Sequence, residues 1–307
     1  MQVSESPEFN KNEDAPVVIA IGAFDGFHLG HQKIIQETKN KADRIQLPAG
    51  IYSFYPHPLQ VIKPDQAPRY LISEEQKIDI LNNMDLDYYF RQKFTKKFSQ
   101  ISFNKFVKDI LVNQINTKQV VVGKDFKFGH KGKGNVTSLT DLGYKYDFEV
   151  SIVPSFKKNG EKVSSSLIRT LIKKGKVGQV SDYFGRNFII EGKVVYGDGR
   201  GKKLGFPTAN LKLTTAYVLP APGVYAGYVH IDNNKYKGIA NFGYKPTFSG
   251  NEYNIEIHII GFSNDIYHKK ISFEMIKFIR KEMNFDSHDQ LIEQINQDLL
   301  YTDNFLC

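Results

Sequence analysis

The sequence predicts an α/β fold in two parts: a doubly wound parallel sheet, followed by a small antiparallel β-barrel domain with a C-terminal helix. Apolar, strand-like runs alternate with amphipathic helical segments up to about residue 184. From Phe188 onward, short apolar strands recur between turn residues, which is the spacing of a small barrel. A length of 307 residues suits two cores better than one. We therefore expect two domains, residues 1–184 and 185–307.

Composition and charge narrow the classes of protein. Hydrophobic residues make up 41% of the chain and charged residues 24%, as in ordinary folded proteins. The single cysteine, Cys307, excludes a disulfide framework, and no run has the length of a membrane span, so we expect a cytoplasmic protein. The net charge of +8 favours anionic partners. Composition does not choose among nucleic acid, a membrane surface and small phosphorylated substrates. Because the basic residues are spread along the chain, a duplex-binding face has little support. The partners that we expect are small-molecule substrates, with no nucleic acid and no membrane.

The first domain is predicted as five strands with helices between them. The strands lie at 17–21, 50–54, 86–90, 120–122 and 148–153. The helices run from about 29 to 41, from a capping box at Ser73 to about 84, along an apolar stripe at 103–111, and from Ser164 to a glycine stop at Gly175. We interpret the stripe as core.

The turn after the first predicted strand is the first candidate anion site. Strand, tight turn and helix start follow one another there, so that backbone N–H groups face a ligand above the strand end. Gly26 and Gly30 allow close approach of a polyphosphate. His28 and His31, three residues apart, lie on one helical face and could donate to one phosphate chain. The alternatives are two surface histidines or half of a zinc site, although no Cys or third His lies at ligand spacing nearby.

Further candidates follow later strands of the same domain. His57 stands between two prolines at a strand end, either near a ligand or in a merely structural turn. The loop 123–134 interleaves glycines and lysines, which favours a mobile, cationic phosphate loop, with a generic lysine loop as the alternative. Hydroxyls at a helix start, together with Arg169, also suit an anion, although alone they would be only an N-cap. These hydroxyls belong to Ser164, Ser165 and Ser166.

The second domain is predicted as strands closed by one helix. The strands lie at 188–195, 224–230, 236–241, 254–260 and 271–279. The helix is capped by Ser287 and Gln290, and four of its residues face the barrel: Leu291, Ile292, Ile295 and Leu299.

The segment 197–210 and the strand 254–260 carry the chemistry of the second domain. Four glycines make the first part of 197–210 a flexible cover whose N–H groups suit a triphosphate. Thr208 and Asn210 alternate on an extended segment, so both oxygens point the same way and suit Mg²⁺. Glu256 lies on the face opposite Ile255, which we take as the ligand face. The alternatives are a surface turn and a surface carboxylate.

These motifs resemble those of the bacterial bifunctional riboflavin kinase/FAD synthetases. Residues 22–31 (Gly-Ala-Phe-Asp-Gly-Phe-His-Leu-Gly-His) resemble the nucleotidyltransferase signature, with Ala23 where the family often has Asn. The segments 55–58, 123–129 and 163–169 resemble three further motifs of that half. The segments 197–210, 241–248, 255–258 and 278–282 resemble the riboflavin kinase signature. The resemblance covers nearly the whole chain.

The resemblance implies two reactions: riboflavin and ATP give FMN, and FMN and a second ATP give FAD and pyrophosphate. Glu256 would be the base of the first reaction, whereas His28, His31 and Arg169 would offset charge in the second. The implied ATP and phosphate contacts are Gly22, Phe24, Gly30, Asp125, Ser164, Ser165, Ser166, Gly197, Gly199, Gly201 and Lys202. The implied flavin contacts are His57, Asn241, Arg280 and Glu282. Mg²⁺ is the expected cofactor, ATP the co-substrate and FMN or FAD the product, in a monomer or weak homo-oligomer.

Three other functions remain open on these residues. Only one half of the chain could be active, as kinase or as FAD synthetase. A flavin-binding carrier would need the barrel but not an acidic base beside the Thr208 and Asn210 pair. An RNA-binding protein would explain the charge but not the glycine signatures.

Overall fold

The computed structural model describes residues 1–5, 15–197, 199, 201, 204–247 and 250–306. Within it, packing divides the chain into two units. The first consists of Met1–Pro68 and Glu74–Ser164, and the second of Arg69–Ser73 and Ser165–Cys307. The segment between Ser165 and residue 184 therefore packs with the second unit, so the predicted boundary at 184 stays a prediction.

A parallel sheet of six strands forms the centre of the first unit. Its strands are β1 (Gln2–Ser4), β2 (Val17–Ile21), β3 (Ala49–Tyr55), β4 (Tyr88–Lys93), β5 (Thr117–Gly123) and β8 (Glu149–Val153). Their order is β1-β4-β3-β2-β5-β8, so the strand order reverses direction between β2 and β5. Every residue of β2 is at most 2% exposed, as is typical of a strand covered on both faces. Ligands of such sheets bind at the carboxyl ends beside this switch point.

Two small hairpins complete the strands of this unit. They are β6 (Lys127–Phe128) with β7 (Gly134–Asn135), and β9 (Lys157–Lys158) with β10 (Glu161–Lys162).

The helices of the chain number eight within the described residues. They are α1 (Leu29–Arg44), α2 (Pro58–Ile62), α3 (Glu74–Asn82), α4 (Phe103–Lys105, continued by a π-helix at Phe106–Gln114), α5 (Val136–Tyr146), α6 (Ser165–Lys173), α7 (Val180–Phe184) and α8 (His288–Phe305). Short 3₁₀ turns lie at Pro64–Gln66, Phe98–Gln100, His130–Gly132 and Val177–Gln179. In the part of the chain that the structure describes, no helix combines the length and the apolar content that a membrane crossing needs.

Two elements of the first unit differ from the prediction. The strand β1 was not predicted, because it is short and polar and pairs only with β4 at the sheet edge. The apolar stripe at 103–111 is core as predicted, with Val107 and Leu111 fully buried. Most of that helix is nevertheless a π-helix, and Ile115 N–H donates to the Ile110 carbonyl five residues earlier. An apolar stripe of this length is too short to distinguish the period of an α-helix from that of a π-helix.

A closed antiparallel barrel forms the second unit. Its strands are β11 (Phe188–Val195), β12 (Thr208–Leu213), β13 (Gly223–Ile231), β14 (Asn234–Thr247), β15 (Gly250–Ile259) and β16 (Lys270–Arg280). They pair in the order β11-β12-β15-β14-β13-β16, and β16 returns to β11. The predicted fold class is confirmed: a doubly wound parallel sheet, then a small barrel with a C-terminal helix.

The helix α8 begins as predicted and packs with a polar residue on its inner face. Ser287 Oγ accepts the N–H of Gln290, which is an N-cap bond, and Gln290 Oε1 accepts the N–H of Asp286. The predicted barrel-facing residues are all half-buried. The most buried residues of the helix are Asp298 and Thr302.

Candidate active sites

The turn after β2 has a strained and closely packed backbone. Phe24 and Phe27 have φ values of +43° and +46°, a region that bulky residues rarely adopt. Their buried rings stack with centroids 5.8 Å apart, so a contact of Phe24 with a ligand would use its backbone. Ser53 Oγ donates to the carbonyl of Ala23 at 3.1 Å and holds the turn from β3. The turn therefore keeps a fixed shape although Ala23 has no polar side chain.

The two histidines of the turn meet at the start of α1, as their spacing predicted. Their rings stack with centroids 3.6 Å apart and 16° between planes. His28 is the N-cap of α1, and its Nδ1 accepts the N–H of His31 at 3.2 Å. In the neutral ring the proton is therefore on Nε2, which can donate to a phosphate. A Cβ at Gly30 would lie 3.1 Å from the His28 ring, so glycine makes room for that ring.

The other strand ends bring two more predicted residues to the same edge of the sheet. His57 follows β3 as the N-cap of α2, and its Nδ1 accepts the N–H of Leu59 at 3.3 Å. Asp125 follows β5, and a hydrogen bond from Lys162 lowers the pKa of its carboxyl group. Because β3 and β5 flank β2, His57, His28 and Asp125 all stand at the carboxyl ends of neighbouring strands. Among the described residues, no group of three His, Cys, Asp or Glu could hold a metal ion.

The loop 123–134 is folded rather than extended. The hairpin of β6 and β7 spans it, and the rings of Phe126 and Phe128 stack 5.4 Å apart. His130 donates its N–H to the Ile101 carbonyl at 2.7 Å. The predicted cationic loop therefore has local packing and hydrogen bonds of its own.

The serines and Arg169 belong to the start of α6. The helix was predicted where it lies but begins one residue later than expected: Ser164 precedes it, and Ser165 and Ser166 form its first turn. Arg169 Nε donates to the Arg69 carbonyl at 2.8 Å. From Ser165 onward these residues pack with the second unit, so their contribution to the histidine site stays a prediction.

A cavity of about 510 Å³ at one side of the barrel collects most of the residues predicted for the second domain. The predicted residues that line it are Gly199, Gly201, Thr208, Asn210, Asn241, Glu256, Arg280 and Glu282. Of the remaining predicted residues, Lys202 lies outside the described residues, as does Phe248 of the 241–248 motif. Gly197 lies beside Asn210, which lines the cavity. A Cβ at position 197 would lie 2.0 Å from Asn210 Nδ2, so only glycine leaves room for that amide.

Strand pairing sets the geometry of this cavity. Asn210 on β12 and Asn241 on β14 both lie in register with Glu256 on β15. Thr208 lies in register with His258, two residues further along. Ala209 and Leu211 point into the core, so Thr208 and Asn210 share the cavity face as predicted. The oxygens of a threonine and an asparagine beside a substrate phosphate form a donor set that suits Mg²⁺.

Glu256 lies on the predicted face. Ile255, Ile257 and Ile259 are at most 6% exposed, whereas Glu256 lines the cavity. Asn254 Nδ2 donates to Glu256 Oε1 at 2.8 Å and so orients the carboxylate.

Comparison with known proteins covers both units. The family model described as FAD synthetase matches residues 10–167, and the riboflavin kinase model matches residues 184–306. A bifunctional riboflavin kinase/FMN adenylyltransferase of Bacillus subtilis is 36% identical over 94% of this chain and 92% of its own length. The chain belongs to the bifunctional riboflavin kinase/FMN adenylyltransferase family.

Other members of this bifunctional family match to a similar extent. The protein of that name from Escherichia coli K12 is 33% identical, over 94% of this chain and 92% of its own length. A solved structure from Streptococcus pneumoniae, described as a macrolide-efflux protein, superposes with a TM-score of 0.88. It is 29% identical and covers 99% of this chain and 98% of its own. The two-part architecture is therefore shared over the full length.

Two residues of the kinase half of this family member were not singled out from the sequence. Asn254 shares the cavity face with Glu256, and its position two residues earlier on the strand was the available signal. Asp298 is 2% exposed and binds Arg280. Its signal was an acidic residue on an apolar helical face, three residues after Ile295 and seven after Leu291.

Proposed function

We propose that this chain phosphorylates riboflavin with ATP to give FMN and then adenylylates FMN with a second ATP to give FAD and pyrophosphate. One observation carries the proposal: Glu256 lies in register between Asn210 and Asn241, in a cavity that also holds Thr208 and Arg280. A carboxylate in register with amide side chains on both neighbouring strands suits proton removal from a neutral hydroxyl.

In the kinase reaction Glu256 accepts the proton of the terminal ribityl hydroxyl as that oxygen attacks the γ-phosphate of ATP. Asn254 keeps one carboxylate oxygen oriented, so the other meets the hydroxyl. Thr208 and Asn210 would hold Mg²⁺ together with phosphate oxygens and water. When bound, the ion offsets negative charge on the phosphates of ATP. ADP and FMN leave as products.

In the adenylyltransferase reaction the nucleophile is the phosphate of FMN, which is already ionised and needs no base. Its oxygen attacks the α-phosphate of ATP, and the bond to pyrophosphate breaks. His28 donates from Nε2 to the developing charge, and its Nδ1 bond to His31 N–H fixes that tautomer. The ring of His31, stacked on His28, adds a second donor at the same helix start. Arg169, a permanent positive charge, is the third residue that the resemblance assigns to this reaction.

Product analysis tests the proposal. The protein is incubated with riboflavin and ATP, and separately with FMN and ATP, and the flavins are separated by chromatography. We expect FMN and FAD in the first mixture and FAD in the second. FMN without FAD would favour a kinase alone, FAD only from supplied FMN would favour a synthetase alone, and bound but unconverted riboflavin would favour a carrier. Excess chelator should stop both reactions, and added magnesium should restore them. Full activity in chelator would contradict a requirement for Mg²⁺.

Two broader expectations belong to the same proposal. A cytoplasmic location rests on the single cysteine of the chain. The oligomeric state, expected as monomer or weak homo-oligomer, is read from sedimentation at several protein concentrations.

A further inference from the structure

We propose that Asp298 is a positioning residue of the kinase site, which fixes the guanidinium of Arg280 beside the flavin and offsets its positive charge. The inference rests on the proposed kinase function and deepens it. Its basis is a buried ion pair between α8 and the end of β16, at the wall of the cavity.

The contacts of Asp298 fix both of its oxygens. Arg280 Nε lies 3.1 Å from Oδ1 and 3.0 Å from Oδ2, and Arg280 Nη2 lies 2.8 Å from Oδ2. Gln294 Nε2 donates to Oδ1 at 3.1 Å from one turn earlier on the helix. Asp298 is only 2% exposed, so its charge depends on these donors. Paired bonds of this kind hold a guanidinium in one plane.

Arg280 is fixed at a second point as well. Its Nη1 donates to the Lys281 carbonyl at 3.1 Å. Arg280 also lines the cavity, so its remaining N–H groups can donate to a ligand there. Asp298 and Lys281 therefore determine which way these donors face.

Charge explains why such a pair suits the flavin end of a kinase cavity. An unpaired guanidinium attracts phosphate, and the same cavity must take a triphosphate near Thr208 and Asn210. Neutralised by Asp298, Arg280 keeps its N–H donors but offers little attraction to ATP. Such a group matches a neutral, planar ring that carries carbonyl oxygens, as riboflavin does. Apolar residues of the same wall, Phe285, Leu291 and Ile295, suit the faces of that ring.

The alternative is that Asp298 only docks α8 on the barrel. The chain offers a matched control for this role. Asp303 also lies on α8, and its Oδ1 accepts Lys237 Nζ of β14 at 2.9 Å, but it does not line the cavity. Asp303→Asn therefore removes the charge from a link between helix and barrel without touching the site, and the bond from Lys237 Nζ to the Asp303 carbonyl at 3.0 Å remains.

The test compares Asp298→Asn with Asp303→Asn in the full chain. We expect Asp298→Asn to raise the KM for riboflavin about tenfold, the usual effect of weakening a charged hydrogen bond, while kcat and the KM for ATP stay within about threefold. Free ATP should become a competitive inhibitor against riboflavin, since Arg280 is no longer neutralised. Asp303→Asn should change none of these values.

A double variant separates positioning from direct contact. If Asp298 acts through Arg280, then Arg280→Gln/Asp298→Asn has the riboflavin KM of Arg280→Gln alone. Should Asp298→Asn not fold, Gln294→Leu removes one donor from Asp298 and should raise the same KM about threefold. An unchanged KM with a lowered melting temperature would overturn the inference. Riboflavin binding, measured by quenching of flavin fluorescence without ATP, distinguishes a failure of this inference from a failure of the proposed function. Wild-type protein that shows no turnover contradicts the proposed function. Equal riboflavin binding by wild type and variant contradicts the role of Asp298.

Discussion

Glu256 lies on the cavity face of β15, and Asn254 orients its carboxylate. Replacing its carboxylate by an amide preserves shape, since Asn254 and the strand register still hold the side chain. The amide cannot accept the hydroxyl proton. We therefore expect Glu256→Gln to lower the rate of FMN formation about 10²- to 10⁴-fold, with riboflavin binding nearly unchanged. Steady-state assays of both reactions on one preparation measure this.

FAD synthesis from supplied FMN serves as the internal control, because it needs no base. Glu293→Gln, at an exposed position of α8, is the matched substitution and should leave both reactions intact. Kinase turnover of Glu256→Gln within about threefold of wild type would show that positioning, rather than proton transfer, carries the step.

His28 has two separable roles, since Nδ1 caps α1 and the neutral ring carries its proton on Nε2, the proposed donor to phosphate. Asparagine can also cap a helix but has no imidazole. We expect both His28→Asn and His28→Ala to reduce FAD formation at least tenfold, because a donor to the developing charge is lost. His28→Ala should lose about 1 kcal/mol more stability than His28→Asn, since alanine cannot replace the cap. Thermal unfolding and FAD assays together give the answer.

FMN formation from riboflavin should be unaffected in both His28 variants. Equal losses of the two activities would contradict the division of labour between the units. Equal stability of the Asn and Ala variants would show that the cap contributes little.

At the scale of elements, Glu274 joins β16 to its neighbours in the barrel. Burial would raise the pKa of its carboxyl group, but bonds from Asn187 at 2.7 Å and His230 at 2.9 Å, with Lys235 nearby, outweigh this and lower the pKa. A folded pKa below the ordinary 4.5 means that the stability Glu274 contributes is present above that value and is lost as the pH falls through the folded pKa. We expect Glu274→Gln to cost about 2 kcal/mol at pH 7 and almost nothing at low pH.

Urea unfolding of wild type and Glu274→Gln between pH 3 and 7 checks this on the assumption of a single transition for the second unit. Glu293→Gln, at an exposed position of α8 in the same unit, is the control and should show no such pH dependence. A cost that stays constant with pH would contradict the assignment to the ionised carboxylate.

The elements that the sequence predicted well are those in which burial dictates residue type. The apolar run at 17–21 and the alternation of Ile255, Glu256 and Ile257 gave both the strands and their faces. Polar pairing is harder to predict. The strand β1 forms by pairing with one strand, β4, and Asp298 is buried in an ion pair with Arg280, 18 residues earlier. Nothing local in either stretch specifies those partners.

At the scale of the whole chain, the second unit includes more than the barrel. The turn at Val177–Gln179 contacts β16, and α7 contacts β11. Seven apolar residues of this segment are buried: Ile168, Leu171, Ile172, Val177, Val180, Tyr183 and Phe184. We therefore expect a fragment 165–307 to unfold at least about 5 °C above a fragment 187–307, because the shorter one leaves barrel surface uncovered.

Calorimetry of the two fragments, with the full chain as reference, measures the difference. Once folded, each should form FMN and neither should form FAD, since the histidine turn is absent from both. Equal melting temperatures would show that residues 165–186 add no stability to the barrel. A folded fragment without kinase activity would contradict an independent site in the second unit.

Asn210, Glu256 and Asn241 are aligned by the pairing of β12, β15 and β14, so the geometry of the proposed kinase site is set when the barrel folds. A slip of β15 by a single residue would turn Ile255 and Ile257 to the cavity and force Glu256 into the apolar core. The free-energy cost of burying an unpaired carboxylate exceeds the stabilisation that the shifted strand pairing provides. The misaligned barrel is therefore disfavoured during folding, before any substrate binds. Glu256, the proposed base of the kinase reaction, thus also favours the correct pairing of β15, and a more apolar side chain at position 256 would remove both effects together.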